Sequence, residues 1–333
     1  MHINRHKLMQ LTCIKLCFSY DFTMKNSPNK NISLLTYFIA ALTAINFLSA
    51  EDKVSDSKDG KIKVLLIDGQ NNHDWVRCSP VMIDTLKATG KFVIERATVT
   101  KSRVAEFNPD FTKYHVILSN YNGDSWTEKT KSDFVQYVKE GGNLVVVHAA
   151  DNSFPNWKEY NEMIGLGGWG GRNEKHGPYI YWEDGKIIRD ESKGRGGSHG
   201  RPLEYKVIVR EEEHPITKGL PTEFLQAKEE LYDRLRGPGQ NMQILATALA
   251  KGGSERHEPV LMTITYGKGR IFHTVMGHDS KSMLGVAFQE TLIRGTEWAA
   301  TGKVTYPAVT ATTLPVDSAA SRDTKDIKPY PAN

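Results

Sequence analysis

Cysteine is nearly missing from this sequence. Cys13, Cys17 and Cys78 are the only three in 333 residues. The first two fall in an N-terminal segment that reads as a leader, so Cys78 stands alone beyond it and no internal disulfide can form there. Stability must come from a core, which about 280 residues can supply in one large domain. Close-spaced metal motifs are also missing: there is no C-x-x-C and no H-E-x-x-H. Net charge is missing as well. Residues 1–50 hold five of the 43 basic residues and one of the 39 acidic ones, leaving 38 of each. A balanced chain gives no electrostatic case for nucleic acid.

Long apolar runs are confined to residues 32–48, ISLLTYFIAALTAINFL. Met24 opens a stretch with the order of a secretory signal. Lys25 and Lys30 form its basic part, the apolar run follows, and Leu48-Ser49-Ala50 offers small residues for cleavage. Export is therefore expected, to the periplasm or the medium, with cleavage near Ala50. An uncleaved N-terminal anchor is the alternative, because the run is at the short limit for a membrane span. No cysteine follows the cleavage site, which argues against a lipoprotein. Residues 51–60 read as a polar linker and 61–303 as the folded domain. The segment 304–333 has no apolar period and is expected to be loosely ordered.

Within the domain, short apolar runs at 62–67, 92–99, 115–119 and 144–147 alternate with amphipathic stretches at 79–89 and 128–139. Runs apolar on both faces, separated by helices, predict an α/β fold with a mostly parallel sheet and helices on both sides. Residues 150–203 break the rhythm with a Gly- and aromatic-rich excursion, suited to a substrate-binding lid. Strands resume at 205–209, 230–235, 243–249, 260–266 and 270–275, the last two joined by a hairpin at Tyr266-Gly267-Lys268-Gly269-Arg270. A helix over 288–300 closes the domain.

In an open parallel sheet, ligands bind beyond the carboxyl ends of the strands. That rim collects His73 and Asp74 after the first strand, Asn122 after the third, and His148 and Asp151 after the fourth. His278 follows the last strand. Strand alternation puts Glu230, Tyr232 and Arg234 on one face, with Glu230 the best candidate acid. Catalytic roles are expected for His148, Glu230, His73 and Tyr232. Substrate contacts are expected from Asp74, Asn122, Asp151, Trp169, His199 and Arg270, with Tyr179, Tyr181 and Trp182 as further sugar-stacking candidates beside Trp169. His273, inside a strand, reads as core. His73, His148 and His278 could hold a divalent metal, zinc being the usual partner of such a set. One ion with ligands at about 2 Å can gather them only if they lie within roughly 12 Å of each other. The metal-free alternative uses His and Glu as general acid and base. No nucleotide cofactor is expected, and the oligomeric state is left open.

Several stretches together resemble the ThuA-like (trehalose utilisation) family over residues 62–300. They are His73-Asp74, Gly141 to His148 (GGNLVVVH), His214-Pro215-Ile216-Thr217-Lys218-Gly219-Leu220, Glu230-Leu231-Tyr232, His257-Glu258-Pro259-Val260, and Gly267 to His273 (GKGRIFH) with Gly277-His278. The resemblance implies a flavodoxin-like, class I glutamine amidotransferase-like fold. It implies a nucleophile position, a cysteine in those amidotransferases, at His148-Ala149, while Cys78 lies on the wrong loop, so glutaminase chemistry is not expected. It also implies a small sugar or keto-sugar substrate, an upstream oxidoreductase in the same pathway, and lyase or hydrolase chemistry on a 3-keto glycoside. A non-catalytic sugar-binding or assembly protein is the rival reading.

Overall fold

A computed structural model describes residues 60–330. The expected signal segment and all but the end of the linker lie outside them. Among the described residues no helix is long and apolar enough to cross a membrane.

The first half builds the parallel part of the sheet. Strands β1 (Ile62–Asp68), β2 (Phe92–Thr98), β3 (Val116–Ser119) and β4 (Asn143–Val147) carry the runs expected to be strands. Helix α1 (Trp75–Ala88) starts a turn earlier than the sequence pattern suggests, because Asp74 caps it by accepting the Arg77 N–H at 3.2 Å. Pro80 inside it, with no N–H to donate, hides that first turn from a reading of the sequence. Helix α2 (Glu128–Lys139) has the expected bounds.

The excursion is folded rather than loose. It contains helix α3 (Lys158–Ile164), the hairpin β5 (Tyr179–Glu183) and β6 (Lys186–Asp190), and the short β7 (Ser198–His199). The hairpin turns at Asp184-Gly185, both with positive φ, a turn signal readable in the sequence. Then come β8 (Leu203–Val209), β9 (Glu223–Glu229), β10 (Tyr232–Asp233), β11 (Met242–Leu249), β12 (His257–Tyr266), β13 (Gly269–Thr274) and helix α4 (Val286–Thr301).

Among the described residues the main sheet has eleven strands, with the path β2-β1-β3-β4-β13-β12-β11-β8-β9. The first five run parallel, and from β13 onward each pairing is antiparallel. The predicted α/β sheet is present, and the antiparallel half extends it. The strand expected at 230–235 is instead β9 followed by the short β10, which pairs with β7. Residues Phe272 and His273 point to opposite faces, toward Gly295 of α4 and the Ile164 carbonyl of α3 respectively, so helices cover both sides.

The segment after residue 303 is not loosely ordered. It wraps α4, burying Tyr306, Leu314 and Ile327. Glu297 of α4 accepts hydrogen bonds from Thr305, Tyr306 and the Tyr330 hydroxyl. Arg294 of α4 binds the carbonyl oxygens of Tyr306 and of Pro215, Ile216 and Lys218. The tail lacks an apolar period because it is an extended strap that buries one side chain at a time.

Leu314 and Ile327 contribute about 1.5–3 kcal/mol each by burial, so truncation after residue 303 is expected to lower stability by at least ~3 kcal/mol in urea unfolding. A second prediction concerns acid. The Ile216 N–H donates to Nδ1 of His214 at 3.2 Å, and burial pushes the His214 pKa from 6.5 down to about 4. The folded protein therefore refuses a proton that the unfolded chain accepts. This contribution is whole above pH 6.5 and is lost as pH falls toward 4. Thermal melts of His214→Gln should show a smaller loss between those pH values than the parent does.

Candidate active-site cleft

The strand ends deliver their side chains through two forced turns. Gly69, at the end of β1, has φ +109, and a Cβ there would stand 2.4 Å from the Val99 backbone nitrogen. Gly277, after β13, has φ +106, and a Cβ would meet the Phe288 ring at 2.8 Å. These turns aim the segments carrying His73 and His278 at each other.

His148 follows β4 with φ +45, a conformation rare for a residue with a side chain. Its Nδ1–H donates to the Val275 carbonyl at 2.6 Å, which leaves Nε2 as a lone pair. Nε2 is buried and has no hydrogen-bond partner among the described residues. Burial first, then the neighbouring His73, holds its pKa well below the ordinary value, so the ring is neutral. It stacks on Tyr232, centroids 3.9 Å apart.

Tyr232 carries the floor outward. Its hydroxyl lies 3.0 Å from Nε2 of His73 and accepts from Asn152 at 3.4 Å. Asn72 also meets His73 Nε2, at 3.0 Å, while its own amide oxygen accepts from Asn122 at 2.7 Å. That chain of amides makes Nε2 of His73 the acceptor. Burial and the adjacent His278 and His199 push the His73 pKa down to about 4, so it too is neutral. Burial raises the Tyr232 phenol well above its usual range, which keeps it an O–H donor.

Glu230 faces two more imidazoles. Its Oε2 lies 3.5 Å from Nε2 of His199 and 3.4 Å from Nε2 of His278. The neighbouring Glu229 points the other way into the core. It accepts the backbone N–H groups of Gly277 and His278 at 2.8 and 2.9 Å, and hydrogen bonds from Tyr205 and Gln226. Two adjacent glutamates thus divide between holding the His278 turn and entering the cleft, as period-two alternation requires.

The cleft has a volume of about 560 Å³, with Asn72, His73, Asn122, Asn152, Trp169, His199, Glu230 and Tyr232 along its wall. Trp169 packs 4.6 Å from the Tyr232 ring. Arg172, buried, ties this part of the excursion to the His148–Asn152 turn. Its guanidinium donates to the carbonyls of Asn152 at 3.0 Å, Gly168 at 2.6 Å and Ser153 at 2.7 Å, and to the Asn161 side chain.

The structure therefore brings together His73, Tyr232, Glu230, Asn122, Trp169 and His199 on one cleft, with His278 beside them and His148 beneath. The three histidines expected to share a metal have ring centroids 4.6–5.5 Å apart, so they converge. Among the described residues, His73, Glu230 and His278 bring their ligand atoms within 4.8 Å of one another. Glu230 stands in this set where His148 was expected.

Other sequence expectations are corrected. Asp74 caps α1 and pairs with Arg77 at 3.4 Å. Asp151 is wholly buried beneath the site, 3.3 Å from Nε2 of the buried His273. Arg270 is the second residue of β13 and so lies at the opposite edge of the sheet, binding the carbonyls of Ala299 and Ala300 at the end of α4. Tyr179, Tyr181 and Trp182 lie under the guanidiniums of Arg236, Arg256 and Arg210, at 3.5, 4.2 and 4.8 Å. Arg234 turns away at φ +51 and donates to Ser198. Asn72, Asn152, Glu229 and Arg172 were missed. Asn72 adjoins His73 in a polar strand-end loop, which was signal enough, whereas a buried arginine carries no mark in the sequence.

Comparison with known proteins gives a consistent result. The profile of a family described as ThuA, trehalose utilisation, matches residues 63–299. A ThuA-like protein of Parabacteroides merdae is 44% identical, with a TM-score of 0.76, over 82% of this chain and 100% of that one. One from Bacteroides uniformis is 19% identical, with a TM-score of 0.51, over 76% of this chain and 94% of that one, and shares the fold. No curated protein matches.

Replacing Arg172 with Met would leave the carbonyls of Asn152, Ser153 and Gly168 buried without donors, at ~1–3 kcal/mol each. Arg172→Met is expected to lose at least ~3 kcal/mol in urea unfolding and to become cleavable by protease within residues 167–172.

Proposed function

The chain belongs to the ThuA, or trehalose utilisation, family, and from that premise we propose that its cleft is the active site of a lyase or hydrolase acting on a 3-keto glycoside. The observation that carries this reading is the convergence of His199, Glu230, His73 and Tyr232 on one cleft beside Trp169. Its volume falls in the range of small-molecule sites, and an indole face at the wall suits a sugar ring.

The chemistry follows from what each group can give. A 3-keto sugar has an acidic C2–H beside its carbonyl. His199 donates its Nδ1–H to the Gly200 carbonyl at 2.8 Å, so Nε2 is a lone pair in the cleft. It takes the C2 proton, and the Glu230 carboxylate at 3.5 Å stabilises the imidazolium that forms. The electron pair moves onto the carbonyl oxygen, where the Tyr232 O–H stabilises the enolate. The enolate then re-forms the ketone as the C1–O bond breaks, and the departing oxygen takes the proton from His199. The products are an unsaturated keto-sugar and the free aglycone, and addition of water to the former completes a hydrolysis. An oxidoreductase upstream would supply the 3-keto substrate, and the leader at residues 24–50 would place the reaction outside the cytoplasm.

Turnover of a panel of 3-keto glycosides tests the reading. His199→Gln and Tyr232→Phe should each lower kcat/KM by about 10²–10⁴-fold, and Trp169→Ala should act mainly on KM. Unchanged turnover in both of the first two variants, or none by the parent protein, would sink it.

A further inference from the structure

We propose that His73, Glu230 and His278 form a binding site for one divalent transition-metal ion, with zinc the best fit. The inference concerns the same cleft as the sugar reading but needs only the donor set, so the two stand or fall separately.

Three observations carry it. The first is geometry. The three donors come from three separate chain segments, the turn after β1, the end of β9 and the turn after β13, and their ligand atoms lie within 4.8 Å of one another. A tetrahedral ion with ligands at 2.0–2.2 Å sets those ligands roughly 3.3–3.6 Å apart. The Nε2 of His278 and Oε2 of Glu230 already stand 3.4 Å apart.

The second is an excess of lone pairs. The Nε2 of His73 is an acceptor. The Nε2 of His148, 2% exposed, is a lone pair with no donor facing it, in a ring centred 4.8 Å from His73 and 5.5 Å from His278. Glu230 adds a carboxylate, and Asp279 adds a second one 3.6 Å from Nδ1 of His278. An unpartnered imidazole lone pair beside an acceptor nitrogen and two carboxylates is the environment a cation resolves.

The third is rigidity behind the donors. Glu229 holds the Gly277-His278 backbone by two hydrogen bonds, and Asn71 holds the His73 N–H at 2.9 Å. Two imidazoles and a carboxylate leave a coordination position open, as in catalytic rather than structural sites. When bound, such an ion supplies a Lewis acid for a sugar carbonyl or hydroxyl.

The test is calorimetric titration of the chelator-treated full chain with Zn²⁺, with Co²⁺ visible absorption as the spectroscopic readout. One equivalent should bind, and Co²⁺ should give the intense bands of a low-coordinate site. Glu230→Gln and His278→Ala should each weaken binding more than about 100-fold, beyond the 10–100-fold that loss of an outer partner costs. Trp169→Ala, which removes no donor atom, should leave affinity within about threefold of the parent. Circular dichroism checks that each variant is folded, and the near-isosteric Glu230→Gln serves where His278→Ala is not. No binding by the parent, or binding that survives loss of both Glu230 and His278, overturns the site. Keto-glycoside turnover by metal-free protein that binds no ion would uphold the sugar reading and overturn this one. Binding without turnover would do the reverse.

Discussion

The parallel ladder between β4 and β13 joins segments 127 residues apart, at His148 and Val275. Because Val147 pairs with Thr274, the two strands end level and their next residues leave the sheet side by side. The His148 ring then reaches the Val275 carbonyl, which fixes its tautomer. The same strand opens the antiparallel half. The two-residue turn after Tyr266 returns the chain from β12, and β11, β8 and β9 follow outward. The end of β9 in turn brings Glu229 and Glu230 back to the His278 turn. With β13 elsewhere in the sheet, the parallel half would carry His73 and His148 and nothing to face them.

Buried charges orient backbone in the site and beyond it, and none of them could be kept without several partners. Arg172 meets three carbonyls and an amide, Arg294 meets four carbonyls, and Glu229 accepts four hydrogen bonds. Arg172 fixes the excursion to the His148–Asn152 turn and Glu229 fixes the His278 turn, so these two set where cleft residues stand without lining the cleft themselves. Arg294 instead ties the tail and residues 215–218 to α4.

The parallel half was legible because its strands are short runs rich in β-branched and aliphatic residues, and because Gly141-Gly142 marks the end of α2. The rim was legible for a related reason: polar loops after buried strands can only be at the carboxyl edge. That logic found His73, Asn122 and His278. It erred at Asp74, since an aspartate before a helix competes between capping and ligand, and here capping wins. Arg270 was assigned to a motif rather than to an edge; its place at the start of β13 excluded it. Trp169 was separable from Tyr179, Tyr181 and Trp182 only in three dimensions, because arginines from distant segments cover the latter. The strap after residue 303 was illegible for want of any period.

His148 stands on a sharp turn. Its positive φ costs about 1–3 kcal/mol, and the Val275 bond and the Tyr232 stack over-determine it. Thiol chemistry has no place here. Cys78 is buried in α1, and burial pushes its pKa up to about 12, so no thiolate forms at neutral pH. His148 is itself covered: its Nε2 meets no solvent, and Tyr232 and His73 lie over it. The strained turn thus forms a floor. The groups that can touch a substrate sit one layer above, on the β1 loop, the end of β9 and the excursion. Two of them, Trp169 and His199, belong to the excursion. The fold supplies the site's location, and the Arg172-anchored excursion supplies the part of its wall that a sugar would meet.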